Sequence, residues 1–175
     1  MTMTVTHSTR CGLEPRVSGL AATGIPLRHL HLVWPDLWPL LEPAVKRSPD
    51  KPDVLARLLF NDAQLWAVYP TPALAPTSLA PVAVADGNAN APVAAIVTQI
   101  QLAHEKRCLI WLVGGSRLGE WAADFIAKLE DWARSLGCVA LRGVGRPGWA
   151  RIVKKFGGVS VDAVDGLPAW ERKIA

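Results

Sequence analysis

The stretch from Cys108 to Gly158 constrains the fold more than any other part of the chain. Cys108 to Val113 is an apolar run of the length of a buried strand. A glycine-rich turn follows, with Gly114, Gly115 and Gly119. Trp121, Phe125, Leu129, Trp132 and Leu136 then recur at steps of four, four, three and four, which is one face of a helix expected over 117–136. Glu120, Asp124, Lys128, Asp131 and Ser135 recur at the same steps on the opposite face. Glu130 and Arg134 stand four apart in the favourable orientation for an ion pair. Gly137 suits the left-handed stop of the helix, and Cys138 to Leu141 reads as the next strand. Strand, turn, helix, strand is a crossover unit, the connection that joins parallel strands.

A short second helix closes this stretch. Pro147 fits its first turn, where a missing N–H costs nothing, and Trp149, Ile152, Val153 and Phe156 form its apolar stripe. Gly157 ends it, and Arg151, Lys154 and Lys155 are left facing water.

The rest of the chain supplies a sheet and a second helical layer. Residues 1–24, rich in Thr, Ser and Gly, read as a mobile arm with an edge strand near Arg16–Ala21, and residues 25–175 as one domain. Residues 27–47 carry the apolar stripe Trp34, Leu37, Trp38, Leu41 and Val45, interrupted by Pro35, Pro39 and Pro43. Pro35 suits a helix start, while Pro39 and Pro43 are expected to kink the helix. Asp50 or Asp53 is placed to cap a further helix that buries Val54, Leu55, Leu58 and Leu59. Gln64–Tyr69, Val93–Leu102 and Cys108–Val113 form a meander of three antiparallel strands, broken by a Pro- and Ala-rich loop over 70–92. Val159–Val164 and Ala169–Ile174 make a last hairpin around Asp165 and Gly166.

Composition excludes several classes. Half of the residues are hydrophobic, enough for a substantial core, and eight tryptophans against one tyrosine read as large core anchors. No apolar run approaches the roughly 20 residues of a membrane span, and the N-terminus lacks the apolar centre of a signal peptide, so a cytoplasmic protein is expected. Cys11, Cys108 and Cys138 show neither zinc nor redox spacing; all three are expected to be reduced, and no metal site is expected. Residues 101–175 carry twelve basic and eight acidic side chains, and Arg142, Arg146, Arg151, Lys154 and Lys155 form a run without an acid. Such a run suits phosphates of a cofactor or of nucleic acid, or simply solvates a helix.

The order of elements is two helices, three meander strands, a long helix, a strand, a short helix and two strands. From about residue 27 to 174 it resembles the GNAT superfamily of acetyl-CoA-dependent N-acyltransferases. WARSLGC resembles the end of the family's long helix and the start of its fifth strand, and GRPGWARIVKKFGGV the segment that follows. The two words together are most like those of small phage- and prophage-encoded GNAT-like proteins. The resemblance implies an α/β (α+β) fold with a mixed, mostly antiparallel sheet splayed between its fourth and fifth strands and helices on both faces. It implies acyl transfer from acetyl-CoA or another acyl-CoA to a primary amine on a small molecule or protein. The cofactor's pyrophosphate would rest on the loop Val113, Gly114, Gly115, Ser116, Arg117 and Gly119 at the helix N-terminus. Arg146, between Gly145 and Pro147 at a helix start, is placed to grip an anion such as the cofactor's phosphate, or a carboxylate. His104 and Glu105, in the turn before the fourth strand, are the candidates for proton transfer.

The chain also departs from the family pattern. Arg117 is followed by Gly119 one residue early, and Glu120 at the end of the loop opposes a phosphate. Val153 stands where a tyrosine is usual, Arg146 where an asparagine is, and Gly158 where the Phe of Gly-Phe is. The alternative is therefore a catalytically inactive GNAT-shaped binding or assembly module, as a homodimer or within a phage-protein assembly, with nucleic-acid contact a weaker third reading.

Overall fold

Seven strands form one sheet in the order β1-β2-β3-β4-β5-β7-β6 in the computed structural model, which describes residues 19–48, 51–71 and 91–174. The strands are β1 (Leu20–Ile25), β2 (Gln64–Pro70), β3 (Ala94–Leu102), β4 (Lys106–Gly115), β5 (Ala140–Val144), β6 (Val159–Val164) and β7 (Leu167–Lys173). Every neighbouring pair is antiparallel except β4 and β5, which run parallel as the crossover pattern predicts. The sheet is mixed and mostly antiparallel, with helices on both faces. The edge strand expected near Arg16–Ala21 lies instead at Leu20–Ile25, and most of the Pro- and Ala-rich loop falls outside the described residues.

Helix α1 (Leu30–Arg47) covers one face and buries Leu30, Leu37, Leu41 and Val45. It starts five residues before Pro35, contrary to the start expected there, and runs through all three prolines as one continuous helix. The reason is their spacing. Steps of four put Pro35, Pro39 and Pro43 on one stripe, and all three are exposed, so water can serve the carbonyls that lose an N–H partner. Helix α2 (Val54–Leu59) lies on the same face and buries Val54 and Leu58. Asp53 caps it, accepting from the Ala56 N–H at 3.0 Å.

Helix α3 (Leu118–Ser135) covers the other face, with Trp121, Phe125, Leu129 and Ala133 in the core. Trp66 of β2 meets Phe125 and Trp132 edge-on, with ring centroids 5.8 and 5.2 Å away. Its indole N–H donates to Thr98 Oγ1 at 3.0 Å, which satisfies a hydroxyl that is wholly buried. Leu136 ends the stripe as the C-cap and is 39% exposed. The Glu130–Arg134 pair does not form. Arg134 turns to Asp131, and Glu130 is held by Arg172 of β7. Arg172 also donates to the Phe156 carbonyl just past helix α4 (Trp149–Lys155), so one side chain ties α3, α4 and β7 together.

Candidate functional site

The two parallel strands part company at their C-terminal ends. Pairing of β4 with β5 runs from Arg107↔Ala140 to Ile110↔Gly143 and stops there. Beyond it β4 continues to Gly115, while β5 stays paired to β7 through Val144↔Ala169. A bulge at Trp111 falls at the parting: Val97 faces Leu112, and Thr98 faces Ile110. The result is an opening between Trp111–Gly115 and the end of β5, at the carboxyl ends of parallel strands where α/β proteins place ligands. On the β5 side Trp170 lies across Gly143, where an added Cβ would meet the indole Nε1 at 2.2 Å. Trp149 stands against Gly145 in ordinary contact.

The β4 lip offers main-chain groups. Ser116 donates to the Val93 carbonyl at 2.9 Å, which continues the β3–β4 register one step past Ala94↔Gly115. Alternation then turns the N–H and C=O of Gly115 and Val113 away from β3, toward the opening. The loop's other amides divide. Ser116 is committed to Val93, and Glu120 donates to the Arg117 carbonyl at 2.9 Å. The amides of Arg117, Leu118 and Gly119 donate to no backbone group among the described residues, as expected of a helix N-terminus. The cradle expected over Gly115–Gly119 is thus narrower, three amides at the head of an 18-residue helix.

The glycines there differ in purpose. At Gly114 a Cβ would strike the Leu40 carbonyl at 1.9 Å, so that glycine lets α1 approach the sheet. Gly115 has φ +114°, and its Cβ would strike the Val93 carbonyl at 2.3 Å. Gly119 lies outside the left-handed region with nothing within 4 Å of its Cβ position. No neighbour requires its lack of a side chain; what that lack provides is open space at the helix N-terminus.

The loop's charges cancel. Arg117, at φ 57° as the N-cap of α3, gives Nε and a terminal nitrogen to the two Glu120 oxygens at 2.8 and 2.7 Å. That hydrogen-bonded pair lowers the Glu120 pKa and raises that of Arg117. Trp121 Nε1 donates to the Ser116 carbonyl at 2.9 Å and pins the turn.

Arg146 follows the C-terminal end of β5, on the same rim as the Arg117–Gly119 amides, and is exposed with no ion pair among the described residues. The basic run divides between the faces. Arg151, Lys154 and Lys155 are exposed on α4, beside the α3-side core that Phe156 joins, whereas Arg142 points to the other face. His104 and Glu105 are not brought to the loop. They precede Lys106 at the start of β4, a ten-residue strand away from it, and Glu105 is paired with Arg107 at 2.8 Å. Tyr69 sits on β2, half-buried, with its pKa raised by burial and by Asp36. Val153, in the position usual for tyrosine, leans on Gly158, where a Cβ would meet it at 2.1 Å. Sequence reasoning placed Arg142 only within the basic run and did not single out Glu171. Strand alternation places Arg142 opposite to buried Leu141, but the partner strand's register shows only in three dimensions. Cys108 and Cys138 are buried free thiols, and burial pushes Cys108 up to about 12. Among the described residues no cluster of His, Cys, Asp or Glu is able to hold a metal ion, and no helix is long and apolar enough to cross a membrane.

The chain matches no family model and no curated protein. It does match solved structures along most of its length. An N-acyl amino acid synthase from uncultured soil microbes, FeeM, is 8% identical with a TM-score of 0.59, over 89% of this chain and 90% of that one. A NatC complex bound to Gag peptide and CoA gives 11% identity and a TM-score of 0.58, over 87% and 95%. A GNAT-family acetyltransferase from Listeria monocytogenes 4b F2365 gives 9% and 0.56, over 88% and 94%. The fold is that of the GNAT acetyltransferases. At these identities the likeness establishes the architecture and leaves the chemistry to the residues.

Proposed function

We propose that the chain is a GNAT-type acyltransferase that moves an acetyl or other acyl group from acyl-CoA to a primary amine. The observation that carries this reading is the β4–β5 opening, with the unpaired Arg117–Gly119 amides on its rim. Those amides would hold the pyrophosphate, with Arg146 answering its charge from across the opening. Val113 and Gly115 would offer main-chain hydrogen bonds to the amides of the pantetheine arm. Acyl-CoA supplies an activated thioester. The amine nitrogen bonds to its carbonyl carbon, the carbon–sulfur bond breaks, and the amine's proton leaves as the thiol forms. No Asp, Glu or His lies within Cys108–Gly115 or Ala140–Val144, so water is assigned the proton transfers. The phage or prophage origin rests on the sequence words alone.

A calorimetric titration with acetyl-CoA tests this reading. Binding by the wild type, lost in Gly119→Leu without any fall in melting temperature, is the expected result. No binding at millimolar acetyl-CoA would overturn it in favour of the non-catalytic GNAT-shaped module. The Arg117–Glu120 pair, which leaves the loop without net charge, and Val153 in place of tyrosine favour that module.

A further inference from the structure

On the face that α1 and α2 cover, no helix among the described residues lies over β5, β6 and β7. The core beneath α1 and α2 includes residues of β2, β3 and β4 but none of β5, β6 or β7. Cys108, Leu141 and Ile174 belong to the α3-side core, so alternation puts Arg107 and Leu109 of β4, Arg142 of β5 and Glu171 of β7 on the α1 face. Arg142 and Glu171 are direct cross-strand partners. Gly145 donates to Pro168 O, which makes the Arg142–Glu171 position a non-bonded one, where side chains stand closest. Even so, no ion pair joins them. Glu171 gives its carboxylate to Arg107, at 2.9 Å, and Arg107 also holds Glu105. Arg142 is half-buried and has no acid partner among the described residues. It stands one residue before Gly143, the last β5 residue paired to β4, at the apex of the opening.

We propose that Arg142 is the acceptor's anchor, and that the acceptor is an amine carrying a carboxylate, of the α-amino-acid class. This rests on the acyl-transfer reading. The acceptor's nitrogen must reach the apex where the thioester would end. A guanidinium fixed on the sheet floor beside that point offers a planar fork that fits a carboxylate by two parallel hydrogen bonds. Arg107 is shared by Glu171 and Glu105, which leaves Arg142 as the guanidinium on this floor without an acid partner among the described residues, open to an anionic group.

The test measures thiol release from acetyl-CoA with a panel of α-amino acids and their matching amides. The wild type is expected to favour the acids by on the order of tenfold or more in kcat/KM. Arg142→Gln should bring that ratio to about one while acetyl-CoA affinity and melting temperature stay at wild-type values, and Arg142→Lys should restore part of it. An unchanged ratio in Arg142→Gln, or no preference in the wild type, overturns the anchor and leaves acyl transfer standing. If acetyl-CoA does not bind at all, the same amino acids are titrated into the protein alone. Binding lost in Arg142→Gln would keep the anchor while acyl transfer fails, and no binding would overturn both.

Discussion

Gly119 and Gly115 separate what the fold needs from what a ligand needs. At Gly115 any side chain meets backbone at a positive φ, so Gly115→Val should destabilise the domain and reports little on binding. Gly119→Leu replaces a poor helix former by a good one in open space. It should raise stability by about 0.5–1 kcal/mol in denaturant titrations while CoA affinity falls. Equal losses of both would place Gly119 in the core of the turn instead. Glu120→Gln releases Arg117 from its ion pair and removes a negative charge at the helix N-terminus, so CoA affinity should rise several-fold at low salt. Cys108 shows the opposite kind of environment. Its folded pKa is about 12, above that of a thiol in the unfolded chain, so its contribution to stability is complete below the unfolded pKa and fades as pH rises toward 12. Melting temperature should therefore fall from about pH 9 upward, less steeply in Cys108→Val. In a Cys11→Ser background, thiol reagents should label the native protein slowly and the denatured protein at once.

At the scale of elements, periodicity was readable where one helix face meets the core. Trp121, Phe125 and Leu129 announce α3 in sequence and are buried in it, and Leu129→Ala should cost roughly 2–5 kcal/mol. The α1 boundary was hidden because prolines weigh against helix in any local reading. Their shared exposure, which lets water serve the freed carbonyls, belongs to the packed helix. The pairing of Arg172 with Glu130 left no trace in the sequence, where the two stand 42 positions apart. Local spacing pointed instead to Arg134. Arg172→Met removes the partner of a largely buried carboxylate, and should cost roughly 1–3 kcal/mol in chemical denaturation. A combined Arg172→Met, Glu130→Leu variant should recover part of that loss.

At the scale of the molecule, the parallel strand pair and its covering helix followed from one crossover unit, so the sheet's centre was legible. The site was legible as a loop and no further. Which amides stay free depends on the β3–β4 ladder, and which charges stay unmatched depends on the β5–β7 register. With water as the proton carrier, acyl transfer should follow the acceptor amine's own ionisation. Log kcat/KM should rise with unit slope until that amine's pKa, and an inflection that stays fixed as the amine is varied would expose an enzyme base. The proline stripe of α1 bears on how the whole chain reaches this state. A helix requires trans bonds at Trp34–Pro35, Trp38–Pro39 and Glu42–Pro43, and none is cis here. In the unfolded chain each such bond is cis about 10–30% of the time, so roughly a quarter to two-thirds of molecules start with at least one wrong isomer in this helix. Helix α1 supplies most of the helical layer of one core. Much of the population should therefore refold in a phase of tens of seconds that a prolyl isomerase shortens, and refolding started after only a few seconds of unfolding should lack it.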